Sequence, residues 1–185
     1  MKKTITLLLC FLSICLFKSC DELPELPENL PLWYAIEKGV IEYGDLGTLY
    51  FDDFGRMERH EWQNGKVMLY LPDKTVELDP EAKTYKILIE MEKLNSYHYF
   101  GDEVSWYLSS KFNAKRTNEE IIGKPCIVWV GTYEEKEIKY GGWKRIIFVA
   151  ELDADSYRAT SFTEELPEGN LFEIPEDYTQ IVIEE

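Results

Sequence analysis

The sequence predicts a mainly-β domain, an antiparallel meander of short strands accompanied by one helix. Three observations predict it. Turn signals recur at Gly55, Gly65, Pro72 and Pro80, too closely for helical crossovers to fit between them. The segments between those turns alternate apolar and polar residues, as half-buried strands do. Beyond the N-terminal segment, one stretch alone repeats apolar residues strongly at helical spacing.

The N-terminal segment is read separately. Lys2 and Lys3 precede the uncharged run Thr4–Phe17, and Lys18 closes it. That length suits a signal-peptide apolar core and falls short of the roughly 20 residues a spanning helix needs. Ser19 and Cys20 follow. This arrangement resembles a bacterial lipoprotein signal, which implies that residues 1–19 are removed and that Cys20 carries lipid. Two or three acyl chains on one residue hold far more firmly than the single chain that binds only marginally. Residues 20–31, "CDELPELPENLP", then read as a lipidated cysteine and an acidic, proline-rich tether. Residues 32–185 read as one domain. The expected setting is the Gram-negative cell envelope, as an outer-membrane lipoprotein facing the periplasm or the exterior.

Charge narrows the partners. The chain has a net charge of −15, and removing Lys2, Lys3 and Lys18 with the signal makes it −18. Such a surface repels nucleic acid, whose binding depends on basic contacts. The expected partners are the membrane, through the lipid anchor, and an apolar small molecule or lipid. Cys10 and Cys15 leave with the signal and Cys20 is taken by lipid, so Cys126 stands alone and forms no internal disulfide. Its setting, "KPCIVWV", reads as a buried strand.

The strands follow in order. "GTLYFDDFGRMERHEW" places a turn at Asp53-Phe54-Gly55 between two runs, and the pair Asp52-Asp53 reads as part of that turn. The second run is polar on both sides, which predicts an edge or rim position. "EWQNGKVMLYL" carries Asn64-Gly65, a strong hairpin signal. "TVELD" and "KTYKILIEM" come next, with Tyr85, Ile87 and Ile89 on one face of the latter. The helix is expected from about Asp102 to Phe112, with acidic residues in its first turn and Lys111 in its last. Its stripe is Val104, Tyr107, Leu108 and Phe112, with Trp106 beside it. A second meander follows in "PCIVWVGTY", "EKEIKY", "WKRIIFVAEL" and "YRATSF". Hairpins are expected at Gly141-Gly142 and Asp153-Ala154-Asp155, and a short strand near the C-terminus.

The sequence contains no GxSxG elbow, no HExxH and, after residue 19, no CxxC pair. His60 and His98 have no second histidine at ligand spacing and read as surface or structural residues. Neither an enzyme nor a cofactor is expected. The aromatic residues are more informative. They cluster at Trp33-Tyr34, at Tyr97 to Phe100 and at Trp106-Tyr107. Such clusters fill a core, line an apolar cavity or form a stacking platform.

Three stretches in order carry a family resemblance. They are "MERHEWQNGKVMLYLPDKTVELDPEAKTYKI", "IIGKPCIVW" and "LPEGNLFEIPEDYTQI". Together they resemble uncharacterised bacterial lipoprotein domains that are similar in fold to the lipoprotein-localisation factors, the Lol-type carrier and its outer-membrane receptor. The resemblance implies a strongly curved antiparallel sheet, an incomplete β-barrel, with one or two covering helices. It also implies an acyl-binding concave face. Strand or helix position then offers Leu69, Ile87, Ile89, Trp106, Leu108, Trp129 and Phe148 as lining residues. The alternative is a surface module that binds glycan or a protein partner through exposed aromatics.

Overall fold

The computed structural model describes residues 33–91, 98–152 and 155–182, with backbone only for residues 102–106 and 155. Residues Pro31–Glu185 form one compact unit. Cys20 lies outside the described residues.

Among the described residues the unit is mainly β, with two open sheets, one α-helix and no closed barrel. The first meander comprises β1 (Gly39–Glu42), β2 (Gly47–Asp52), β3 (Met57–Trp62), β4 (Val67–Tyr70), β5 (Thr75–Asp79) and β6 (Thr84–Ile89). Helix α1 (Asp102–Phe112) follows, then β7 (Lys115–Ile121), β8 (Lys124–Tyr133), β9 (Lys136–Trp143), β10 (Ile146–Leu152) and β11 (Asp155–Arg158). Two short strands, β12 (Ser161–Thr163) and β13 (Thr179–Gln180), return to the first sheet. That sheet has the order β12-β1-β2-β3-β4-β5-β6-β13, and the second runs β11-β10-β9-β8-β7. Every pairing is antiparallel except that of β13 with β6.

The turns show why the chain reverses where it does. Between β2 and β3, Asp53, Phe54 and Gly55 all take positive φ, and the Asp52 carboxylate accepts the Asp53 N–H at 2.8 Å. A Cβ on Gly55 would stand 2.6 Å from the Tyr34 ring, so only glycine fits there. Asn64 Oδ1 accepts the Lys66 N–H at 3.0 Å and caps the β3–β4 turn. Asp79 Oδ1 does the same for Ala82 at 2.9 Å between β5 and β6.

Two expectations are corrected. Strand β3 is central rather than at an edge, because its polar residues Glu58 and His60 are buried among aromatics. The polar edge strand is β7, whose residues are mostly exposed. Gly141-Gly142 lies inside β9, and the turn falls at Lys144-Arg145, both at positive φ. A Cβ on Gly142 would come 1.8 Å from the Ile146 carbonyl oxygen, so those glycines serve close backbone packing, not reversal.

The main core lies between the sheets. Ile41, Leu49 and Phe51 of the first sheet meet Cys126, Val128 and Phe148 of the second, all at 0–1% exposure. A β-bulge between Ile147 and Val149 turns both Phe148 and Val149 into this core, where plain alternation would separate them. The opposite face of the second sheet carries Ile127, Trp129 and Tyr140, which pack with Phe100. Helix α1 lies against β8 on that opposite face. The remaining half of the first sheet has its own core of Val67, Leu69, Val76 and Leu78, covered by Phe172, Ile174 and Tyr178 near the C-terminus.

Candidate functional site

The site is a groove between α1 and the second sheet. Helical spacing brings Leu108 and Phe112 to one side of α1, one turn apart. Leu108 is buried, Phe112 is half-buried, and Tyr107 stands 48% exposed at the rim. Strands β8, β9 and β10 supply Tyr133, Ile138, Tyr140 and Leu152. Together these residues enclose about 390 Å³. Every described lining residue is aliphatic or aromatic.

Local sequence explains the approach of α1. A Cβ on Gly131 of β8 would lie 2.8 Å from the Phe112 carbonyl oxygen. Glycine therefore lets the end of α1 settle onto the strand. Asn113 then closes α1 with φ 49°, the left-handed conformation that asparagine tolerates well. A chain of edge-to-face rings fixes the outer wall, with Tyr107–Phe112 centroids at 5.7 Å and Phe112–Tyr133 at 5.5 Å. Burial pushes the Tyr140 phenol up to about 12.

The sequence-predicted lining residues do not converge on one cavity. Leu108 lines the groove. Trp129 faces the same side of the sheet and lines a neighbouring pocket. The Trp106 side chain lies outside the described residues. Leu69 and Ile87 belong to the core beneath the C-terminal segment. Phe148 is fully buried between the sheets, and Ile89 is 48% exposed at the end of β6. The space between the sheets, where a half-barrel cavity was expected, holds packed side chains instead. Tyr133, Ile138, Tyr140 and Leu152 went unpredicted as lining residues. The alternation of Ile138 and Tyr140 along β9 is the one signal that points to them.

A second cluster lies inside the main core. Glu58, His60 and His98 are fully buried. Tyr34 Oη donates to Glu58 Oε1, and Tyr43 Oη donates to the Ile147 carbonyl at 2.7 Å. His60 stacks on Trp62 at 4.0 Å, and Tyr43 stacks on His98 at 5.0 Å. Burial, followed by the neighbouring His98, lowers the His60 pKa to about 3, against a smaller opposing pull from Glu58. Both histidines are thus structural rather than superficial. A general base must reach a substrate proton, and these side chains are sealed from solvent. Among the described residues, no group of three His, Cys, Asp or Glu side chains is placed to hold a metal ion.

No protein-family model, curated protein or solved structure matches the chain. An apolar surface of this kind offers burial of hydrocarbon and shape selection.

Proposed function

We propose that this chain is a non-catalytic binding protein, tethered to the Gram-negative outer membrane through Cys20, that holds an acyl chain or similar apolar ligand under α1. The observation that carries this reading is the groove of about 390 Å³ with a wholly aliphatic and aromatic described lining. Its volume falls within the roughly 300–1,000 Å³ usual for small-molecule sites. Hydrocarbon burial contributes about 0.8 kcal/mol per methylene, so about ten buried methylenes contribute about 8 kcal/mol against the cost of association. The resemblance to the Lol-type lipoprotein-localisation factors suggests the ligand class, since in those proteins a concave sheet face binds acyl chains. The groove proposed here differs in lying on the helix side of the second sheet.

A second reading, a glycan- or protein-binding module, is favoured by one observation. Tyr107 and Tyr133 are 48% and 45% exposed, and together they offer an aromatic edge to a sugar ring or a side chain.

Titrating the full chain with single-chain lipids, followed by tryptophan fluorescence, separates the two. Trp106 sits on α1, and Trp129 lies on the sheet surface facing it. The lipid reading predicts an emission shift that Leu108→Asp abolishes, because an unpaired carboxylate under the helix is costly. No shift with any lipid, together with oligosaccharide retention that Tyr107→Ala and Tyr133→Ala remove, overturns it in favour of the second reading.

A further inference from the structure

Strand β7 ends the second sheet, and no described strand pairs with its outer edge. An open edge of this kind is a template for another strand. Lys115–Ile121 contains no proline, and Lys115 to Asn118 and Glu120 are exposed. The hairpin to β8 settles which backbone groups face outward. Ile122 and Gly123, both at positive φ, form its two-residue loop, and Ile121 is the register partner of Lys124. Residues flanking such a loop exchange hydrogen bonds, and the exchange recurs at every second position. Lys115, Thr117, Glu119 and Ile121 are therefore bonded to β8. Arg116, Asn118 and Glu120 turn their N–H and C=O groups to the open edge. Pro125 fits this ladder, since it lies opposite Glu120, where β8 has no N–H to donate.

The side chains of β7 run from positive to negative. Lys115 and Arg116 open the strand and Glu119 and Glu120 close it, so the segment is neutral in a chain of net charge −15. Asn118 is its midpoint. Antiparallel pairing of β7 with itself about Asn118 engages the whole strand. It sets Arg116 of each copy against Glu120 of the other, and Asn118 against its own counterpart. Each outward-facing residue then meets an outward-facing one, with about six backbone hydrogen bonds in all. In-register parallel pairing would instead set like charges side by side. Glu119 points to the other face, where it pairs with Arg158 at 2.8 Å, and keeps that contact. We infer that β7 is a self-association edge, at which two copies of this chain join antiparallel across a two-fold axis through Asn118. The acidic surface opposes association in general, and this neutral, self-complementary edge is where the opposition is absent. The same patch serves both copies, as a two-fold interface requires.

Oxidative cross-linking of the full chain in cells tests this. The unsubstituted chain, with Cys126 buried, sets the background. Asn118→Cys lies on the axis and brings its α-carbon to about 5.5 Å from its counterpart, within the span a disulfide closes. Glu120→Cys is also exposed but lies about 14 Å from its counterpart along the strands. Asn118→Cys should therefore form a disulfide-linked homodimer at least about tenfold faster than Glu120→Cys. In the Asn118→Cys chain, Arg116→Glu should slow that step about tenfold. Adding Glu120→Arg should restore it, because the swap re-forms both ion pairs with their signs exchanged. All three positions are exposed, so the fold is retained. Equal rates at positions 118 and 120, no homodimer, or a charge swap that restores nothing overturns the inference. A disulfide from Asn118→Cys to a different polypeptide also overturns it and gives the edge to another chain.

Discussion

Lowering the pH from about 7 towards 4 protonates histidines in the unfolded chain while His60 in the folded chain resists. The ordinary histidine value is 6.5, and in the fold it falls to about 3. Below 6.5 the unfolded state therefore binds a proton that the native state refuses, and stability falls with pH until about 3. The stability from keeping His60 neutral is complete above 6.5. The slope is about 1.4 kcal/mol per pH unit, so about 3 kcal/mol is lost by roughly pH 4.5. The groups facing His60 are His98 at 5.1 Å, Trp62, Glu58, and Tyr43 and Tyr157 beyond His98. Only Glu58 favours the protonated form, and its pull is the smallest of the three. The many surface carboxylates act in the opposite sense, since acid relieves their mutual repulsion. The assay must therefore be differential. Urea unfolding of the wild type and His60→Gln is measured at several pH values from 7 to about 4.5, and the gap between the two curves is plotted. The substitution will lower stability at pH 7 by disturbing the stack on Trp62, but the gap should close by about 1.4 kcal/mol per pH unit below 6.5. Parallel curves across that window would refute the reasoning.

Other outcomes follow from the same structure. Burial holds the Cys126 thiol up at about 11, so a thiol reagent should label it slowly in the native protein and quickly in denaturant; rapid native labelling would contradict this. Cys126→Ala should cost about 1–2 kcal/mol in denaturant unfolding, as a small core truncation does. Gly142→Ala should destabilise by about 3 kcal/mol in the same assay, because its Cβ would meet the Ile146 carbonyl oxygen at 1.8 Å. Cys20→Ala should move the protein from the membrane fraction to the soluble one with its far-ultraviolet dichroism unchanged; continued membrane retention would defeat the anchoring proposal.

The first meander was legible because its turns carry their own chemistry. Asn64-Gly65 and Asp79-Pro80 mark reversals through local hydrogen bonds that any sequence reader can see. Helix α1 was legible through the spacing of Tyr107, Leu108 and Phe112. Strand β7 was not, since "KRTNEEI" is polar on both faces and only its place at a sheet edge makes it a strand. The central position of β3 was hidden for the opposite reason. Glu58 and His60 look like surface residues until Tyr34, Tyr43 and His98 arrive from distant parts of the chain to surround them. The candidate site was half legible. Leu108 could be chosen from the helix pattern, but Tyr133, Tyr140 and Leu152 meet only once β8, β9 and β10 have paired. Leu69 and Phe148 had the right character and the wrong neighbours, because hydrophobicity alone cannot tell a filled core from a lined groove.

Native mass spectrometry of the protein purified from its own host tests most directly whether the groove under α1 holds a lipid. The expected result is a bound species of lipid mass that survives gentle desolvation, is released on unfolding, and is absent from Leu108→Asp prepared in parallel. A wild-type protein that arrives at its bare polypeptide mass, apart from any anchor, and takes up no lipid when one is supplied would contradict it.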